Sequence, residues 1–250
     1  MFIVDSQVHI WREETPDRPW VPGARERMRL NGHREKAFTY QECLELMDDA
    51  GVNRVLTLAL HSPQVHGFFS VPVDHLHALR ELAAHFRGRD LSRAVVVSPD
   101  LGYAKSAADF ARRLGVPVAA GAKQRISDTQ VILSAIIGDV AGRDVIILDD
   151  EIARGTTVFE LLTLLAEQDV RSVAVACTHG LFADGALDKL AATEVTEIVC
   201  TNSVPLPPDH PKLHVLSVAP ALAEAISRIH NGESVSALFD TSPRSRRARF

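Results

Sequence analysis

Along the second half of the chain, apolar residues fall in short unbroken runs, each followed by a polar loop and an amphipathic stretch. Ala94–Ser98 (AVVVS) predicts a buried strand, and Ser106–Leu114 the helix after it. Pro117–Ala120 predicts a brief strand. Val145–Leu148 predicts a continuous apolar one, followed by a polar loop and a helix over Thr157–Gln168. Val173–Cys177, Glu197–Thr201 and His214–Ser217 read as further strands, with helices over Gly185–Ala192 and Pro220–His230. Runs with no polar alternation need both faces covered, so the alternation of strand and helix predicts an α/β domain built on a parallel sheet. Ligands in such sheets bind beyond the carboxyl ends of the strands. The loops after Ser98, Leu148 and Cys177 are therefore where chemistry is expected.

The first third has a different texture. Residues 12–37 are rich in Arg, Glu and Pro and show no apolar period, as expected of a surface segment or linker. Thr39 then precedes a predicted helix over Tyr40–Ala50, with Cys43, Leu44 and Met47 on one face. Gly51 stops it, and Val52–Leu60 reads as a strand. No internal repeat is visible. The basic tail over 240–250 is expected to be frayed.

Bulk properties narrow the class. The 250 residues are 46% hydrophobic and 24% charged, the balance of a globular protein. A net charge of −5 favours no nucleic-acid partner. Three cysteines at wide spacing do not form a disulfide framework; Cys177 and Cys200 end apolar runs and read as buried thiols, which fits a reducing cytoplasm. No run approaches the ~20 apolar residues of a membrane span, and the N-terminus lacks the basic region of a signal peptide.

The chemistry concentrates after Leu148, in VIILDDEIARGTTVFELL. An apolar strand delivers Asp149 and Asp150, then Gly155, Thr156 and Thr157 open a helix. A helix start offers unpaired N–H groups and a positive dipole end, and a glycine with two hydroxyls makes it a ready anion site. Two carboxylates just before it suit sugar hydroxyls, or a magnesium ion bridging to phosphate. Diol plus phosphate means a ribose phosphate. The plain alternative is a strand end with an Asp cap and a Thr-rich first turn, and spacing alone leaves both open.

LDDEIARGTTV resembles the phosphoribosyltransferase signature, and the surrounding chain resembles the ribose-phosphate diphosphokinases (PRPP synthetases) over about residues 52–239. The resemblance implies a type I phosphoribosyltransferase fold with an atypical, incomplete N-terminal segment. It implies that Asp149 and Asp150 hold the ribose hydroxyls and that Arg154–Thr157 cradle the 5-phosphate. The family's usual third acid is Ala153 here, and Arg154 follows it. HSPQVHGFFSVPVDHLHA (61–78) resembles the segment closing the synthetase N-terminal domain; His61 matches a metal- and ATP-contacting histidine, and the acid usual two residues earlier is Ala59. VVVSPDLGYAKSAADFARRL (95–114) puts Asp100 at a metal or ribose position, with Tyr103 at a usual glycine. AGAKQRISD (120–128) resembles the flexible catalytic loop, implying that Lys123 and Arg125 neutralise charge on the transferred phosphoryl groups. CTHGLFADGAL (177–187) and LSVAPALAEAISRIHNGESVSALF (216–239) are family-like but mostly structural, with Thr178–Gly180 expected to line the site.

The start of the chain resembles something else. IVDSQVHIWREETPDRPWVPG looks like the opening of a TIM-barrel amidohydrolase, whose Asp-x-His-x-His metal motif is here Asp5-Ser6-Gln7-Val8-His9. The resulting organisation is an amidohydrolase-like fragment over 1–55, a remnant of the synthetase N-domain over 56–93, the phosphoribosyl-binding domain over 94–239 and a tail over 240–250, suggesting a chimera joined near Glu42–Thr57. The resemblance implies transfer of pyrophosphate from ATP to ribose 5-phosphate with Mg2+. Two alternatives stand beside it: a non-catalytic or partner-dependent binder of ribose phosphate or PRPP, since the chain is too short for a whole synthetase, and a phosphoribosyltransferase. Self-association, or pairing with a full-length synthetase, is expected through apolar surface near Gly67–Leu82.

Overall fold

A computed structural model describes residues 40–49, 51–125, 131–205 and 209–238. The Arg- and Pro-rich stretch, the Asp5–His9 run and the basic tail lie outside them. The chain divides into two compact units, Met1–Val55 with Gln64–Val73, and Leu56–Pro63 with Asp74–Phe250. In the first, helix α1 (Tyr40–Asp49) forms as its pattern predicts, and Gly51, at φ 67°, stops it.

The second unit is built on a seven-stranded sheet in the order β5-β4-β3-β6-β7-β8-β9. The strands are β3 (Ala94–Ser98), β4 (Val118–Arg125), β5 (Val131–Ile137), β6 (Asp144–Ile152), β7 (Ser172–Gly180), β8 (Val195–Thr201) and β9 (Leu213–Leu216). Ahead of the sheet, β1 (Val55–Leu58) and β2 (Val73–Leu76) pair with each other. All neighbours in the large sheet run parallel except β4 and β5, which form an antiparallel hairpin. The α/β class with a mostly parallel sheet is as expected from the pattern.

Period-two alternation sorts the strand residues onto two cores. Val95, Val97, Val145, Ile147, Val173 and Val175 pack on one face with Leu161 and Leu165 of α4 (Thr156–Ala166) and Leu187 and Leu190 of α5 (Ala186–Ala191). Val96, Ile146, Leu148, Ala174 and Ala176 pack on the other with Leu82 and Phe86 of α2 (Leu79–Phe86) and Phe110 of α3 (Ala104–Leu114). Helix α6 (Ala219–His230) closes the order of α-helices among the described residues. Burying both faces removes apolar surface from water, worth roughly 25 cal/mol per Å2, as a parallel sheet requires.

Several expectations are corrected. β6 does not end at Leu148: it runs on to Ile152, pairing Asp149 with Cys177 and Glu151 with His179, so the acidic pair is strand rather than loop. β7 likewise continues to Gly180, and Thr178 is buried. β4 extends to Arg125 instead of stopping at Ala120, and its partner β5 is an addition to the expected elements. Leu79, Leu82, Ala83 and Phe86, spaced i, i+3, i+4, i+7, make α2 a buried amphipathic helix. The expected apolar surface near Gly67–Leu82 is divided: Leu76, Leu79 and Leu82 are buried, while Phe68 is 64% exposed and Phe69, Val71 and Val73 are half-buried.

Candidate active site

The sheet itself selects the site. From β3 the chain winds outward through β4 to β5, then returns to β6 on the other side of β3 and winds the opposite way. Such a reversal opens a crevice at the carboxyl ends of the two strands that flank it. Those ends carry Asp100, just past β3, and Asp149 and Asp150, at the end of β6.

A cavity of about 440 Å3 lies there, lined by His61, Asp100, Asp149, Asp150, Glu151, Ala153, Arg154, Gly155, Thr156, Thr157 and Val158. Its size falls within the range of small-molecule sites. The start of α4 forms one wall. Gly155 precedes it with φ 73°, a left-handed conformation that glycine adopts at no steric cost, and an added Cβ would stand 3.0 Å from the Phe159 ring. No side chain caps the helix, so its first N–H groups are offered to whatever enters.

Opposite that wall, the acids are tightly arranged. As successive strand residues, Asp149 and Asp150 leave the backbone in opposite directions. Asp149 turns Oδ1 onto the N–H of Asp150 at 3.0 Å. The buried Asp150 places Oδ2 2.7 Å from Nδ1 of the exposed His61. That contact holds the His61 imidazolium above its ordinary pKa, first through the hydrogen bond and then through the charge. Burial, with the neighbouring Asp150 charge, pushes the Asp149 carboxyl up to about 8. It is thus poised to exchange a proton for a hydrogen-bond donor or a cation. Asp100 accepts the N–H of Tyr103 at 3.2 Å.

Of the ten residues singled out from the sequence, the cavity gathers eight: His61, Asp100, Asp149, Asp150, Arg154, Gly155, Thr156 and Thr157. Lys123 and Arg125 are placed by their backbone alone. Their backbone lies on β4 rather than in a loop, opposite Leu133 and Val131, beyond the point where Ala120 pairs with Ser98 at the end of β3. Sequence reasoning passes over Glu151, which the apolar strand announces as a third consecutive acid. It also passes over Asp184, whose carboxylate meets Arg154 Nε at 2.9 Å and which no local pattern connects to the loop.

Comparison with known proteins gives the site its setting. The family model described as "Phosphoribosyl synthetase-associated domain" matches residues 124–240. A Streptomyces coelicolor protein named "Putative ribose-phosphate pyrophosphokinase" is 69% identical over 202 residues, covering 80% of this chain and 64% of that protein. A Corynebacterium efficiens ribose-phosphate pyrophosphokinase is 37% identical over 227 residues, covering 89% of this chain and 69% of that protein. The chain belongs to the ribose-phosphate pyrophosphokinase family. It spans 64% of the Streptomyces pyrophosphokinase and 63% of the one from Deinococcus radiodurans. The crystal structure of phosphoribosylpyrophosphate synthetase from Mycobacterium smegmatis superposes with a TM-score of 0.68 at 35% identity, over 76% of this chain and 62% of that one. The pyrophosphokinase family and its fold are thus those expected from the LDDEIARGTTV stretch.

Proposed function

We propose that the cavity is the ribose 5-phosphate site of a ribose-phosphate pyrophosphokinase, and that the chain transfers the pyrophosphoryl group of ATP to the 1-hydroxyl of the sugar. The observation that carries the reading is the pairing of two carboxylates with an uncapped helix start across one crevice. Asp149 and Asp150 accept the sugar hydroxyls. The amides and hydroxyls of Gly155–Thr157, with Arg154, take the 5-phosphate. The sugar oxygen attacks the β-phosphorus and its hydroxyl proton passes to solvent; the new O–P bond forms as the bond from Pβ to the oxygen of AMP breaks, and AMP leaves. Lys123 and Arg125, on the β4 backbone at the same edge of the sheet, offset charge on the moving group.

Magnesium fits the donor set in a limited way. Among the described residues no three acids or histidines already converge as a cation cage. Mg2+ characteristically keeps several waters, shares phosphate oxygens and takes one or two carboxylates, a role Asp100 suits. When bound, the ion neutralises the polyphosphate. A ring nitrogen is a poor partner for it, and His61 already spends Nδ1 on Asp150. His61 is better suited to meet ATP phosphate oxygens through Nε2 as a cation.

A second reading, a ribose-phosphate or PRPP binder that needs a partner for catalysis, is favoured by the chain's coverage of under two thirds of the Streptomyces and Deinococcus pyrophosphokinases. Self-association and a cytoplasmic location belong to the same proposal; no described helix is long and apolar enough to cross a membrane. Mixing ATP, ribose 5-phosphate and Mg2+ and following AMP and PRPP separates the two. AMP formation dependent on both substrates supports the enzyme; ribose 5-phosphate heat in a calorimeter without AMP leaves the binder. The junction near Glu42–Thr57 is proposed as a recombination point, tested by sequencing source DNA across it.

A further inference from the structure

The described residues lining the cavity include four carboxyl groups, those of Asp100, Asp149, Asp150 and Glu151, against one guanidinium, Arg154, and one imidazole, His61. A phosphate monoester brings up to two more negative charges near neutral pH. Its affinity for such a crevice therefore depends strongly on where the Arg154 cation points.

Arg154 is held from outside its own loop. Its Nε lies 2.9 Å from Oδ2 of Asp184, and both side chains are more than half exposed. Asp184 sits on the link from β7 to α5, about thirty residues downstream. That link has an uncommon backbone: Phe182, Asp184 and Gly185 take φ 45°, 55° and 72°. Left-handed non-glycine residues are strained and persist when their surroundings over-determine them. The surroundings here do so. The Phe182 ring is buried, and its N–H donates to the Ile152 carbonyl at 2.9 Å, fastening the link to the strand end from which the Arg154 loop departs. Lys189 Nζ donates to the Asp184 carbonyl at 2.9 Å.

We propose that Asp184 is a positioning residue for Arg154, its carboxylate forming an ion pair on the Nε side of the guanidinium so that the two terminal amino groups are left for the 5-phosphate. The inference rests on the reading that this cavity takes ribose 5-phosphate. An exposed ion pair adds little to stability. Its value lies in pre-ordering a long side chain, which removes an entropic cost at binding, and in aiming the edge of the guanidinium that best matches phosphate oxygens.

Simple electrostatics makes the opposite forecast: deleting a negative charge beside an anion site should tighten binding. Calorimetry of ribose 5-phosphate with the full chain decides between them, using D184A, D184N, R154A and the D184A/R154A double variant, each shown by melting temperature to be folded. The proposal expects D184A to weaken binding about three- to tenfold, D184N to weaken it comparably because a neutral amide does not reproduce the ion pair, and D184A to have no further effect when Arg154 is already alanine. Unchanged or tighter binding in D184A overturns it. So does a loss that persists in the R154A background. Absence of ribose 5-phosphate binding by the unaltered chain would instead overturn the substrate reading itself, a result distinct from any difference among variants.

Discussion

Asp149→Asn tests the electrostatics of the site without enlarging or emptying it. Burial and the Asp150 charge raise the Asp149 carboxyl from 3.8 to about 8. The folded chain therefore keeps a proton that the unfolded chain releases across the interval between those values. Because the folded state binds more protons there, stability falls as pH rises through the window and levels off above about 8. Each unit is worth about 1.4 kcal/mol, so between pH 5 and pH 8 the native protein should lose on the order of 3 kcal/mol through this group alone. The amide of the variant carries no such titration and still offers an oxygen to the Asp150 N–H, which Asp149 now holds at 3.0 Å. Urea unfolding at half-unit steps from pH 4.5 to 9 should show the variant gaining on the native chain up to about pH 8 and running parallel beyond. Parallel curves across the whole range would refute the argument, since they would mean that the carboxyl ionises in the fold as it does in water.

Packing and backbone geometry make three more sites testable. Gly155→Ala forces a Cβ into a left-handed position 3.0 Å from the Phe159 ring, so it should cost about 1–2 kcal/mol in chemical denaturation and weaken ribose 5-phosphate binding together. Leu161→Ala opens a hole in a fully buried position and should cost about 2–5 kcal/mol with the ligand affinity of the surviving folded protein little changed. Gly121→Ala would put a Cβ 2.5 Å from the Pro99 carbonyl and 2.7 Å from Leu133, where β4 passes the end of β3; a loss of more than about 2 kcal/mol, or insoluble protein on expression, is the expected readout.

What the sequence discloses, and what it does not, has a physical logic. Ala94–Ser98 is legible to the residue because a run of apolar positions closed by one small polar residue fits a strand buried on both sides. The same reasoning cuts β6 short at Leu148: Asp149 and Asp150 look like a loop to any hydrophobic pattern, and they stay in the strand because β7 supplies their backbone partners. The β4–β5 hairpin escapes for a related reason, since Lys123–Arg125 is polar and its pairing with Val131–Leu133 bridges a gap that local periodicity does not span. Helix α2 is present in the spacing of Leu79, Leu82, Ala83 and Phe86, but a reading of 56–93 as a domain remnant and connection hides it. Eight of the expected site residues come together because the signature run supplies most of them in sequence; the Arg154–Asp184 contact depends on tertiary placement and carries no local signal.

The interleaving of the two cores along β6 limits how this chain can change. Because Val145 and Ile147 serve one set of helices and Ile146 and Leu148 the other, lengthening the strand by one residue ahead of Val145 would not shift a few contacts but trade the entire cargo of each side for its neighbour's. Duplications or deletions should be rejected within the strand. The acidic pair at its end is thus anchored in frame, and the site can be remodelled by exchanging residues far more readily than by moving them.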